Sequence, residues 1–227
     1  DTFDTVFHSV LAYSDYTYPP YEQLSFDGGH KFAKAELPNY GVFDEKRVFD
    51  SAEPTAPNAF FVKGIGRVSV AICEDLWHDS AQRFDQADLI ISINGSPFEI
   101  GKQEKRYDVA SQFQFSGSRT NVLYVNMVGG QDELVFDGAS FMMYSNGQIK
   151  QLPSFEEGVY IVESEYTEDD HNYMSLTRDI EDIYRACVLG TRDYLEKQNF
   201  NSVVIGMSGG VDSGIVAAIA ADRKSVV

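Results

Sequence analysis

The sequence predicts a layered α/β protein whose second domain is only begun. Three observations carry that expectation. Short apolar runs, Val68–Cys73 (VSVAIC), Leu89–Ile93 (LIISI) and Val122–Val128 (VLYVNMV), are strand-like and alternate with helical stretches. A polar, acidic tract without core residues, Ser164–Asn172 (SEYTEDDHN), interrupts the alternation. Beyond it, a strand-like run, a glycine-rich loop and an alanine-rich stretch follow one another directly, the order of a parallel-sheet domain.

Taken in order, residues 1–30 are rich in Asp, Tyr and Phe, carry Pro19-Pro20 and show little periodicity. The three apolar runs are read as buried strands. Lys102–Thr120 reads as a helix presenting Tyr107, Ala110 and Phe113 at a spacing of three. After the turn-rich Gly129-Gly130-Gln131-Asp132 comes a strand at Ser140–Tyr144, then a hairpin turn at Asn146-Gly147 before Gln148–Leu152. The first domain is therefore set at 1–163 and a linker at 164–175. The second piece, 176–221, opens with a helix, Leu176–Lys197, whose apolar face would be Ile180, Ile183, Tyr184, Cys187 and Tyr194. Asn199 can cap its end. Val203–Met207 is then expected as a buried strand and Gly214–Ala221 as a helix.

Composition narrows the function classes. The 227 residues are 43% hydrophobic and 13% aromatic, enough for one full core and part of another. A net charge of −17 repels phosphate backbones, so neither nucleic acid nor an anionic membrane surface is expected as a partner. An anionic ligand would have to be held locally, by backbone N–H groups. Two distant cysteines, Cys73 and Cys187, form no disulfide or metal pattern, and the chain is expected to be cytoplasmic. No apolar run approaches the ~20 residues of a membrane span.

Three places can carry chemistry. In Ser208-Gly209-Gly210-Val211-Asp212-Ser213 the glycines let several N–H groups converge on one phosphate, and both serines add hydroxyl donors. Asp212 cannot donate to phosphate, and a Mg²⁺-linked or structural role suits it better. No Lys follows the second glycine, which excludes a Walker A loop. Cys73 ends a strand and is followed by Glu74-Asp75-Leu76-Trp77; on its own it fits a packed thiol as well as a nucleophile. Lys34 alone would be an ordinary surface lysine.

Set together, these motifs resemble known families. SGGxDS resembles the pyrophosphate loop of the N-type ATP pyrophosphatases, and ICEDLW the nucleophile segment of the nitrilase, or carbon–nitrogen hydrolase, superfamily. The stretch Phe32–Arg47, the tract Ile93–Lys102 (INGSPFEIGK) and the run Asn126–Gly138 look like segments of glutamine-dependent NAD⁺ synthetases. The helix start Asp182–Tyr194 looks like the opening of that family's second domain. The resemblance implies a nitrilase-like α-β-β-α sandwich followed by the start of a doubly wound, parallel-sheet domain of the adenine nucleotide alpha hydrolase type.

It also implies an ATP-dependent carbon–nitrogen ligase with glutamine as amido donor. Cys73 would attack the glutamine amide and release ammonia, with Lys34 favouring the thiolate and the oxyanion. Tyr40, Ser96 and Lys102 would hold glutamine, Lys102 by its α-carboxylate, and Glu45 would sit near the substrate. Ser208, Gly209, Gly210, Val211, Asp212 and Ser213 would bind the pyrophosphate of ATP, with Mg²⁺ at Asp212. Deamido-NAD⁺ would be the acceptor, and the intact enzyme a homo-oligomer.

The chain departs from that pattern at both ends. The family's upstream catalytic Glu has no match among the residues before Lys34, where Glu22 is the sole glutamate. Asp222–Val227 (DRKSVV) does not continue the expected helix and matches a reading frame of a common sequencing adapter, so it is expected to be foreign to the gene. On this reading the chain alone is inactive. A stand-alone nitrilase-superfamily amidase and a non-catalytic remnant stay open as alternatives.

Overall fold

The structure, a computed structural model, describes residues 23–25, 31–52, 59–77, 83, 84, 86–114, 120–167 and 179–222. Most of the poorly periodic first thirty residues lie outside the described residues, as do residues 223–227 of the tail expected at 222–227 to be foreign to the gene; Asp222 is the last residue of a helix. The chain divides into two compact units. One takes in residues up to Asn94 with Val109–Tyr124 and Met143–Gly147; the other takes in Gly95–Asp108, Val125–Met142 and everything from Gln148.

In the first unit, strand β1 (Gln23–Ser25) pairs antiparallel with β2 (Lys31–Ala33). Strand β3 (Ala59–Val62) pairs antiparallel with β4 (Gly66–Ile72), and β4 runs parallel to β5 (Leu89–Asn94), with Val70 opposite Ile91. Strand β6 (Asn121–Asn126), of which Asn121–Tyr124 belong here, extends the order to β6-β5-β4-β3. The sheet is thus mixed. Val68, Val70, Ala71 and Ile72 of β4 and Leu89, Ile90 and Ile91 of β5 are all buried. Such unbroken apolar runs, rather than alternation, mark strands covered on both faces. Phe32, Val70 and Ile72 form one core cluster, with Phe60 and Ile93 against it.

The second unit carries most of helix α1 (Lys102–Ser111), the hairpin of β7 (Val128–Gln131) and β8 (Leu134–Asp137), and the short strand β10 (Ile149–Gln151), hydrogen-bonded to β9 (Phe141–Met143). Helix α2 (Asp179–Lys197) packs on the hairpin, and α3 (Val211–Asp222) follows the glycine-rich loop. Gly130 N–H donates to the Asp193 carboxylate at 2.6 Å, and Lys197 donates to the Gly130 carbonyl. A Cβ on Gly130 would stand 2.9 Å from Gly190 Cα, so glycine at 130 is what lets strand and helix approach. Phe155, Ala186 and Leu189 form the core of this unit.

The strands expected around Val68, Leu89, Val122, Ser140 and Gln148 are all present, and Gly147 makes the expected turn with φ +83°. Asn199 ends α2 with φ +58°. Three expectations need correction. Helix α1 stops at Ser111 and tightens into a 3₁₀ turn, Gln112–Gln114, instead of running to 120. The buried face of α2 is not the expected one: Ile180 is 86% exposed and Tyr194 56%, while Ala186, Leu189 and Asp193 face inward. The Gly130 contact and the Asp193 acceptor select that face, overriding side-chain hydropathy. Val203–Met207 is neither a strand nor buried, and Val204 is fully exposed. A strand exists through its ladder partner, and no described strand pairs with this run.

Candidate active site

Cys73 follows the last residue of β4 and takes a left-handed backbone, φ +47°. A non-glycine residue pays about 1–3 kcal/mol for such a conformation and keeps it only when its surroundings impose it. The chain passes at once into a 3₁₀ turn, Cys73–Leu76, giving a strand–cysteine–turn elbow of the kind that can present a side chain at a sheet's carboxyl end.

What imposes the elbow is Asp75, only 2% exposed. Its carboxylate accepts the N–H groups of Ile72 (3.1 Å), Ala35 (2.9 Å) and Glu36 (2.8 Å). Burial pushes the Asp75 carboxyl above its usual range, and those three donors oppose the rise. One side chain therefore ties the cysteine turn to the segment that follows Lys34.

Lys34 is buried at 3% exposure, not solvated, and its Nζ donates to both oxygens of Glu45 at 2.8 and 2.6 Å. The Lys34 carbonyl accepts Ala52 N–H at 2.9 Å, and Glu45 N–H is held by the Pro38 carbonyl at 3.2 Å. A desolvated ammonium of this kind needs a carboxylate, and the pair places a fixed positive charge on the segment that Asp75 binds to the elbow.

The Tyr40 hydroxyl donates to both oxygens of Glu74 at 2.9 and 3.0 Å. The phenol is pushed up to about 12, first by partial burial of its hydroxyl, then by the Glu74 hydrogen bond and the charges of Glu74, Cys73 and Glu45. Those charges put four of the residues in one electrostatic neighbourhood. Glu74, buried at 8% exposure, was given no role from sequence; its place directly after Cys73 was the available signal. A cysteine on a strained elbow, a buried cation and two flanking carboxylates are the kinds of group that acyl transfer to a thiol requires.

In the second unit, Ser96 and Lys102 stand at the approach to α1 and at its start. Ser96 N–H donates to Asn126 Oδ1 at 2.9 Å, and Lys102 Nζ reaches Glu99 at 3.4 Å. In the glycine-rich loop, Gly209 has φ +82°, with nothing within 4 Å of a notional Cβ, and Gly210 N–H donates to Ser208 Oγ at 3.3 Å. Ser213 Oγ donates to the Gly210 carbonyl at 2.9 Å and lies 3.1 Å from Ser208 Oγ. The loop is preshaped and open, and helix α3 starts at Val211 inside it. Among the described residues no three His, Cys, Asp or Glu side chains gather as a metal site. Among the described residues no helix is long and apolar enough to cross a membrane.

The carbon-nitrogen hydrolase family matches residues 29–167, and the NAD synthase family matches residues 183–224. The chain is similar to the glutamine-dependent NAD(+) synthetase of Rhodobacter capsulatus, 41% identical over 83% of this chain and 35% of that protein. It is also similar to the synthetase of the same name from Synechocystis, 38% identical over 84% and 37%. Among solved structures, the glutamine-dependent NAD+ synthetase of Acinetobacter baumannii in complex with ADP superposes with a TM-score of 0.77 at 37% identity, covering 89% of this chain and 40% of that one. The chain thus spans a little over a third of the length of the curated relatives it matches. Since the first family match takes in more than half of the chain and includes the cysteine elbow, the chain belongs to the carbon-nitrogen hydrolase family.

Proposed function

We propose that the chain is the glutaminase part and the opening of the synthetase part of a glutamine-dependent NAD⁺ synthetase. Cys73 is the nucleophile: its thiol gives up a proton and the thiolate adds to the glutamine side-chain carbonyl, then the C–N bond breaks as that proton reaches the nitrogen, which leaves as ammonia, and a glutamyl thioester remains for water to hydrolyse. Lys34 supplies the positive charge that favours thiolate and oxyanion, and Glu45 fixes that ammonium in place. Tyr40 and Glu74 together offer an acceptor-rich site for the substrate's ammonium, and Ser96 and Lys102 hold its carboxylate. The observation that carries the reading is the elbow itself, with Cys73 at φ +47° and Asp75 binding the Lys34 segment to it.

Ser208–Ser213 is the ATP pyrophosphate loop in this reading. The free curvature at Gly209 and the N-terminus of α3 fit an anion, and Asp212 suits Mg²⁺, which takes one or two carboxylates together with phosphate oxygens. ATP would activate the nicotinate carboxylate of deamido-NAD⁺, and ammonia from the first site would displace AMP. We place the enzyme in the cytoplasm, as a homo-oligomer.

Mass spectrometry of the chain incubated with glutamine tests this. Since the chain alone is expected not to turn glutamine over, the expected result is a stoichiometric glutamyl adduct on the Cys73 peptide, absent from C73A and not formed with asparagine. No adduct would overturn the glutaminase reading, and sustained ammonia release would overturn the expectation that the chain alone is inactive.

A further inference from the structure

Arg106 is fully buried on α1, and nothing in the proposed chemistry uses it. Its guanidinium is clamped by Asp137, 2.9 Å to each carboxylate oxygen, and by Gln103 Oε1 at 3.0 Å. The remaining donors converge on one stretch of chain: Nε and NH2 on Ser96 Oγ at 3.3 and 3.2 Å, and NH2 on the carbonyls of Ser96 at 2.9 Å and Pro97 at 3.4 Å. Asn126 completes the hold, accepting Ser96 N–H and donating to the Ser96 carbonyl at 3.1 Å, with a weaker bond to Asp137 at 3.4 Å.

A guanidinium has donors only, so in both contacts the Ser96 hydroxyl must accept. Its single proton is left to point elsewhere. Among the described residues Ser96 Oγ donates to nothing, although the residue is only 4% exposed, and a buried donor normally finds an acceptor. Lys102, four residues before Arg106, lies on the same face of α1 and brings a second cation to that helix end.

We propose that Arg106, locked by Asp137, is a positioning residue that commits Ser96 to donating, so that the substrate must present an acceptor oxygen, its α-carboxylate, at this point. This rests on the glutaminase reading above. Without Arg106 the serine hydroxyl could turn and accept as readily as donate, and the site would lose discrimination as well as affinity.

The test is saturation kinetics of Cys73 alkylation by a diazoketone analogue of glutamine, followed by mass spectrometry on the whole chain. Wild type should saturate and be protected by glutamine. R106K, a cation without the planar fork, should raise the half-saturating concentration about tenfold, the scale of one charge-assisted hydrogen bond, while the maximal alkylation rate stays within about twofold. S96A should do the same. The double variant should be no worse than S96A alone, because Arg106 acts through Ser96. If R106K loses cooperative melting, R106Q/D137N replaces the buried ion pair by a neutral pair of similar size and should shift half-saturation in the same direction. Unchanged half-saturation in a folded variant, or an effect that adds to S96A, overturns the proposal. Alkylation of wild type that neither saturates nor yields to glutamine overturns the glutaminase reading instead.

Discussion

The Cys73 elbow and the Ser208–Ser213 loop have the same local plan, an apolar run that ends in a turn and passes directly into a helix. Their outcomes differ. The run before Cys73 is β4, buried and paired on both sides, and its turn is anchored by Asp75 to residues 35, 36 and 72. The run before Ser208 stays without a ladder, Val204 is fully exposed, and no residue of α3 is buried. The loop nonetheless keeps its shape, because its hydrogen bonds are internal, Ser208 to Gly210 and Ser213. The glycine-rich loop is shaped by its own residues; the cysteine elbow is held by its neighbours.

The comparison can be broken most sharply at Cys73. C73A should abolish the glutamyl adduct altogether. K34A comes next: it removes the fixed cation and leaves the Glu45 carboxylate without its buried partner, so adduct formation should fall about 10²–10³-fold in stopped time courses. Paired core variants read the difference in burial directly. V70A, in a strand residue 3% exposed, should cost about 2 kcal/mol in denaturant unfolding, whereas V204A should stay within about 0.5 kcal/mol. If V204A costs as much as V70A, the second run is packed after all and the contrast fails. In the loop, G209A places a side chain at φ +82° and should weaken ATP binding several-fold, about 1 kcal/mol of strain, without touching Cys73 labelling.

The smallest effect concerns pH. The Tyr40 phenol is held protonated up to about 12, against about 10 for a free tyrosine. A raised phenol means that the Tyr40–Glu74 bond contributes in full below about pH 10 and is lost as pH rises through the folded value. Phenolate absorbance of wild type minus Y40F should show one group titrating near 12. A difference curve centred at 10 would mean that Tyr40 and Glu74 do not pair.

What could be read before folding followed from short-range pattern. The apolar runs of β4, β5 and β6, the Asn146-Gly147 turn and the glycine-rich loop each depend on residues a few positions apart. Cys73, Lys34 and Glu45 stand out as candidates in the sequence because a motif resemblance names them together. Asp75, Arg106 and Glu74 were not, although each is in plain view in the sequence. Their importance lies in partners ten to forty residues away, Ala35 for Asp75, Ser96 and Asp137 for Arg106, Tyr40 for Glu74.

The sequence by itself determined where most strands and helices form and which residue types are available for chemistry, since backbone preference and hydropathic period are local properties; Val203–Met207, strand-like in sequence, has no described ladder partner and is not a strand. Tertiary structure alone decided that Lys34 is buried against Glu45, that α2 turns Asp193 rather than Tyr194 inward, and that Ser96 is held by Arg106. Each is a choice among partners, made where desolvated charges and backbone groups must find their complements once the chain has closed around them.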